Sequence, residues 1–128
     1  MRYRMITPEA LQGMLRGDSP PLLIDVLTDE HFQAVRLPGA VNVCVYETDF
    51  LDRIAGVVQD HASRIVLYGA SDNTLEAFTA AEKLVGRGYT GVSVLKGGLR
   101  EWKAAGCALE GDDIGILDRA EVVLPADN

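Results

Sequence analysis

Cysteine is scarce in this chain, with Cys44 and Cys107 the only two among 128 residues. Two thiols so far apart make no disulfide framework, and neither lies in a CxxC pair or near a histidine, so a metal site on the usual ligand spacings is not expected. Basic residues are also in short supply: 12 Lys and Arg against 19 Asp and Glu leave a net charge of -7. Nucleic acid and anionic membrane surfaces are both bound through clustered Lys and Arg, so neither is an expected partner. No apolar run approaches the roughly 18 residues of a membrane span. The basic start, Met1-Arg2-Tyr3-Arg4-Met5, has no apolar stretch behind it and does not read as a signal peptide. A cytoplasmic location is the resulting expectation. The two histidines, His31 on a short helix and His61 in a polar turn, read as solvated surface residues and not as catalytic bases.

What is present is an ordinary globular composition, 48% hydrophobic and 24% charged, in a length that suits one domain. Strand and helix signals alternate, which predicts an α/β protein with a parallel sheet and helices on its faces. Residues 3–6 read as a first strand. Thr7-Pro8 opens a helix, with the hydroxyl as N-cap and proline at the first helical position, and Gly17 closes it. Leu22-Leu23-Ile24 begins a buried strand that ends at Asp25-Val26. Thr28 caps a short helix containing Phe32. Leu37-Pro38-Gly39-Ala40 turns into a strand at Val41-Asn42-Val43-Cys44, and Thr48 is placed to cap a helix carrying Phe50, Leu51 and Ile54.

The central feature is the strand Ile65-Val66-Leu67-Tyr68, followed by the loop Gly69-Ala70-Ser71-Asp72-Asn73-Thr74 and then a long helix over about 74–85. Its apolar stripe is Leu75, Phe78, Ala81, Leu84 and Val85, and Gly86-Arg87-Gly88 stops it. A strand delivering a loop onto a helix N-terminus is how α/β proteins build anion cradles and nucleophile pockets. A further strand over 92–95 leads through Gly97-Gly98 into a last helix over 99–105 with the sole tryptophan, Trp102. From Gly111 the chain is acidic, yet Ile114, Ile116, Leu117 and the run Val122-Val123-Leu124 are apolar. Residues 1–110 therefore read as the domain. Residues 111–128 read as an extension docked on it or on a second copy, which makes a homodimer through the tail one expectation.

Several of these segments carry a family pattern. Leu22-Leu23-Ile24-Asp25-Val26, then Leu37-Pro38-Gly39-Ala40-Val41-Asn42-Val43, resembles the N-terminal signature of rhodanese (sulfurtransferase) domains. Ala80-Ala81-Glu82-Lys83-Leu84, Gly88-Tyr89 and Val94-Leu95-Lys96-Gly97-Gly98-Leu99-Arg100-Glu101-Trp102 resemble its C-terminal half. The resemblance spans roughly residues 3–110. It implies a rhodanese-like α/β fold, a parallel five-stranded sheet flanked by helices on both faces, with the site at the carboxyl end of the central strand. It also implies a loop that opens with the cysteine that carries sulfur, a low-pKa nucleophile ringed by N–H donors.

Here the loop opens with Gly69. Ala70 stands where many members place an arginine, Asp72 adds a negative charge, and the loop reads about two residues longer than the commonest form. Leu27 and Arg36 replace the arginine after the Asp-Val pair and the histidine before the Pro-Gly turn. Asp25 matches the family and reads as a turn partner for nearby backbone N–H groups.

The leading expectation is a rhodanese-like domain inactive in sulfur transfer, acting as a binding or regulatory module on a protein partner or a small anion, without cofactor or metal. The site would be the loop Gly69, Ala70, Ser71, Asp72, Asn73 and Thr74, supported by Asp25 and Arg36. The amides from Ala70 to Thr74, with the Ser71 and Thr74 hydroxyls and the Asn73 side-chain amide, are the donors for an anion, and Asp72 and Glu76 oppose it. The alternative is an active sulfurtransferase whose cysteine comes from elsewhere, such as Cys44. The simpler reading makes Cys44 a small core hydrophobe and Cys107 an incidental loop thiol.

Overall fold

The computed structural model describes residues 2–117. Five strands, β1 (Arg4–Ile6), β2 (Leu22–Asp25), β3 (Val41–Asn42), β4 (Ile65–Tyr68) and β5 (Val92–Leu95), form one sheet in the order β1-β5-β4-β2-β3. Every pairing is parallel. The connections carry helices α1 (Pro8–Leu15), α2 (Asp29–Ala34), α3 (Phe50–Val57), α4 (Glu76–Gly86) and α5 (Gly98–Ala104). The rhodanese-like architecture expected from the sequence is the one observed.

The period-2 alternation of the strands divides the core into two layers. Ile65 and Leu67 of β4 face one side, with Ile24, Val92, Val94, Phe50 and Ile54 of α3, and Ala77, Ala80, Ala81 and Leu84 of α4. Val66 and Tyr68 face the other, with Leu11 of α1, Leu99 and Trp102 of α5, and Leu23, Val35, Leu37 and Leu95. β4 lies between β2 and β5 with both faces covered, so all four of its residues are buried. An uninterrupted apolar strand is what such a position requires.

Helix starts follow the local chemistry where it is available. Thr7 Oγ1 accepts the N–H of Ala10, and Thr28 Oγ1 accepts that of His31, so both expected caps are in place. Two other starts differ from expectation. The N-cap of α3 is Asp49, without a side-chain cap bond, and Thr48 lies one residue outside. The long helix begins at Glu76, not at 74, because Thr74 is spent in a turn: its N–H and its hydroxyl both donate to Ser71 O. Leu75 consequently leaves the apolar stripe and stands 72% exposed. The third strand is also shorter than expected, although the Val43 N–H still donates to Asp25 O and the Val45 N–H to Val26 O.

The acidic turn after α5 does not lead the chain away from the domain. Ile114 and Ile116 pack against the Tyr68 layer, and Leu117 is buried in it. The run Val122-Val123-Leu124 lies outside the described residues. Among the described residues, no helix is long and apolar enough to cross a membrane.

Candidate functional site

Parallel strands bring all their carboxyl ends to one edge of the sheet, and the loop over 69–75 leaves β4 at that edge. The loop is tied down on one side by α5. Gly69 O accepts the Leu99 N–H at 3.0 Å, Ala70 O accepts the Arg100 N–H at 3.0 Å, and Asp72 Oδ1 accepts the Gly97 N–H at 2.8 Å. The turn that permits this is Gly97-Gly98, both at positive φ. A Cβ on Gly98 (φ 59°) would collide with Gly69 O and the backbone of Ala70 and Ser71. Gly98→Ala should therefore push the loop off α5 and destabilise the domain by roughly 2 kcal/mol. Urea denaturation measures it, and an unchanged midpoint would contradict this close approach.

Within the loop the Asn73 and Thr74 amides and the Thr74 hydroxyl are spent on Ser71. Ser71 Oγ accepts the Asn73 N–H at 3.2 Å, while the Thr74 N–H and Thr74 Oγ1 both donate to Ser71 O. Asp72 directs its carboxylate to the Gly97 N–H at the start of α5. Asp72 is thus a strut of the loop.

The group that dominates the site is Glu76, the first residue of α4. Its Oε1 lies 3.2 Å from the position a Gly69 Cβ would take, and the Ala77 N–H nitrogen lies 3.7 Å from that position. Gly69 does not have positive φ, so its backbone accepts an ordinary side chain. The other carboxylate oxygen, Oε2, accepts from the Tyr46 hydroxyl at 3.1 Å. Oε1 is buried and has no donor among the described residues, and the same holds for His31 Nδ1. His31 is close enough to feel the Glu76 charge. Burial holds its imidazole below the ordinary pKa, opposed first by its own backbone carbonyl and then by that charge. The Tyr46 phenol is held above its ordinary value by desolvation of the hydroxyl, then by Glu76 and more weakly by Cys44.

His31 therefore differs from the solvated residue expected: it is half-buried, with Nδ1 out of solvent. His61 is exposed and stacks on Tyr89 with ring centroids 4.2 Å apart. The Tyr46–Glu76 hydrogen bond and the influence of the Glu76 charge on His31 went unread in the sequence because the three residues come from three different connections. Only Glu76, weighed as a charge against anions, gave a signal.

The supporting residues occupy structural roles. Asp25 is fully buried; its Oδ1 accepts the Leu27 N–H at 2.9 Å, and the Asn42 amide donates to Asp25 O at 3.1 Å. This is the turn-partner geometry. Parallel register places Asp25 beside Tyr68, whose hydroxyl accepts the Leu37 N–H at 3.1 Å. Burial pushes the Asp25 carboxyl up to about 6, against the pull of the Leu27 N–H, the Tyr68 hydroxyl, the Asn42 amide and the Arg36 charge. Arg36 caps the last carbonyls of α2 at Phe32 and Gln33, lies over the Phe32 ring, and pairs with Glu110 at 3.3 Å.

Cys44 is buried at the carboxyl edge just after β3. Cys107, expected as an incidental loop thiol, is instead part of the Tyr68 core layer. Burial raises its pKa, with Glu9 adding to the rise and Arg16 opposing it. Among the described residues, no cluster of three His, Cys, Asp or Glu is arranged to hold a metal.

A parallel five-stranded sheet in this order, with a loop and helix N-terminus at the carboxyl end of the central strand, defines the rhodanese-like fold. The family model described as Rhodanese-like domain matches residues 7–105, and the chain belongs to that family. The chain is similar to the rhodanese-like domain of an Anabaena protein, solved by NMR, at 29% identity and TM-score 0.74, covering 88% of this chain and 81% of that one. It superposes on the thiosulfate sulfurtransferase of Pseudomonas aeruginosa with TM-score 0.75 at 22% identity, over 85% of this chain and 20% of that chain. A curated relative, the adenylyltransferase and sulfurtransferase UBA4 of Candida albicans, is 31% identical over 104 residues. The chain spans about a quarter of that protein: the match covers 76% of this chain and 23% of the relative.

Proposed function

We propose that this rhodanese-like domain works as a binding module and does not carry sulfur. One observation supports this reading above the others: the space beside Gly69 is held by the Glu76 carboxylate, 3.2 Å from the Cβ position. Sulfur transfer requires a polarisable thiolate against N–H donors. Residues 69–75 contain no cysteine, and the Ser71 and Thr74 hydroxyls are engaged within their own loop. A carboxylate at this point also repels thiosulfate, so the cradle selects against the substrate class of the sulfurtransferases it resembles.

The test is incubation of the wild-type chain with thiosulfate and cyanide, reading thiocyanate formation and intact mass. The expected result is no thiocyanate above a buffer blank and no added sulfur on the protein. A second reading rests on Cys44, which lies at the same carboxyl edge as the loop and acts electrostatically on Tyr46. Its burial to 5% exposure weighs against it. Wild-type turnover that disappears in Cys44→Ser would overturn the binding-module reading and establish the Cys44 one.

A further inference from the structure

An open cavity of about 680 Å³ lies at the amino end of the sheet, away from the loop over 69–74, where β1, β4 and β5 begin. The charged part of its lining is Arg2, Arg4 and Arg64, and no Asp or Glu contributes to it. In a chain with 12 Lys and Arg against 19 Asp and Glu, such a lining is a local reversal of sign. Its volume falls in the range of small-molecule sites, roughly 300–1,000 Å³.

Sheet register explains why these groups meet. Arg4 of β1 pairs with Ser93 of β5, and Ser93 pairs with Val66 of β4. Ile6, Leu95 and Val66 all belong to the Tyr68 layer. Side chains alternate along a strand, so Arg4 and Ser93, each two residues before a member of that layer, face the same side. Arg64 lies two residues before Val66, and its carbonyl accepts the Leu22 N–H as the ladder continues. Arg4 and Arg64 thus flank Ser93 across the width of β5.

These donors are largely uncommitted. Among the described residues, Arg4 has no hydrogen-bond or ion-pair partner and the Ser93 hydroxyl has no hydrogen bond. Arg64 donates to Ser19 O, which braces its guanidinium and leaves further N–H groups of the fork to a ligand. Arg2 also lines a neighbouring hollow with Glu82, so the two arginines left to an outside anion are Arg4 and Arg64.

Donors arriving from three separate segments suit a phosphate, whose three terminal oxygens accept from several directions. A carboxylate has only two oxygens in one plane. Each guanidinium fork also matches a pair of phosphate oxygens. Met14 of α1 lines the same cavity and supplies an apolar wall. The acidic surplus elsewhere opposes an anion only weakly, since exposed charges are screened beyond about 8 Å at physiological salt.

We propose that this cavity binds a small organic phosphate, the phosphate group held between Arg4 and Arg64 over the Ser93 hydroxyl and the organic body resting against Met14. The site is separate from the 69–74 loop, so it goes beyond the binding-module reading and does not depend on it.

The experiment titrates the 15N-labelled full chain with phenyl phosphate, phenol, inorganic phosphate and a capped Gly-phosphoserine-Gly peptide. The backbone amides of Arg4, Arg64 and Ser93 report on the cavity, and those of Gly69, Ala70 and Ser71 report on the loop. The expected result is a saturable shift of the cavity amides with phenyl phosphate and none with phenol. Inorganic phosphate should bind more weakly, and raised salt should weaken both. Arg4→Gln and Arg64→Gln should each weaken phenyl phosphate by at least about tenfold. Arg4→Gln, which breaks no contact among the described residues, keeps the test intact should loss of the Ser19 brace perturb the Arg64 variant. No saturable shift would overturn the proposal, as would binding that phenol reproduces or that neither arginine variant weakens. Shifts confined to the loop amides would overturn it by placing the anion there. Inorganic phosphate binding as tightly as phenyl phosphate would leave an adventitious ion only. Tighter binding of the phosphoserine peptide would assign the cavity to a phosphorylated protein and overturn the small-molecule assignment.

Discussion

Restoring a cysteine at the head of the loop should give a poor enzyme, and removing one neighbouring charge should improve it at least tenfold. Gly69 accepts a side chain: its φ is not positive, and the nearest obstacle to a Cβ is the tip of Glu76, a flexible group that needs to move only a few tenths of an ångström. Gly69→Cys should therefore fold. Its sulfur, one bond beyond that Cβ, is then within a few ångströms of a carboxylate. Two negative charges about 4 Å apart near a protein surface repel by about 4 kcal/mol. The N-terminus of α4, whose Ala77 amide faces the same point, favours a thiolate by only about 0.3–1 kcal/mol. Repulsion wins, the thiol stays protonated at neutral pH, and thiosulfate is repelled as well. The double variant Gly69→Cys/Glu76→Gln keeps the helix terminus and loses the repulsion. Its thiol should alkylate with iodoacetamide at a lower pH than that of the single variant. Its persulfide formation from thiosulfate at pH 7.5 should be at least about tenfold faster. Equal rates and equal alkylation profiles would mean that Glu76 does not govern the site.

The order of elements and the placement of the 69–74 loop at the carboxyl edge of the sheet were legible in the sequence because they depend on local chemistry. Thr7-Pro8 and Thr28 act as caps through bonds within three residues, Gly39 takes positive φ in its turn, and β4 is apolar throughout because both its faces are covered. Expectations failed where the deciding contact comes from elsewhere in the chain. Leu75 fits a helical stripe by spacing, but the Ser71–Thr74 turn delays the helix and puts it in solvent. Cys107 follows the glycine that ends the last helix, a loop signature, yet it is drawn into the Tyr68 layer, against which Ile114 and Ile116 also pack. His31 sits on a short capped helix with an acidic first turn, a surface signature, and only the fold brings it within range of Glu76. The site's character followed the same division. The absence of a cysteine is read directly, but the presence of a carboxylate in its space requires the loop geometry.

Asp25→Asn should reverse its effect on stability between acid and neutral pH. Asp25 is fully buried, and its carboxyl is raised from 3.8 to about 6, with burial the leading cause. Between these values the folded protein holds a proton that the unfolded chain has released. The contribution of the group is therefore most favourable below about pH 4 and is lost as pH rises through about 6. A shift of this size corresponds to about 3 kcal/mol by pH 7.5. An asparagine oxygen can still accept the Leu27 N–H, and the Asn42 amide still has Asp25 O, so the turn survives the substitution. The new amide nitrogen takes the place of Oδ2, which has no donor in hydrogen-bond geometry among the described residues. That nitrogen brings its own unsatisfied-donor cost of about 1 kcal/mol. At pH 4 the variant should therefore be less stable than the wild type by about 1 kcal/mol, and at pH 7.5 more stable by about 2 kcal/mol. Urea titrations at pH 4, 5, 6 and 7.5 follow the crossing. A difference that stays flat over this range would place the Asp25 pKa at its ordinary value. A variant that loses ground steadily as pH rises would make the buried carboxylate a net stabiliser of the β2–α2 turn.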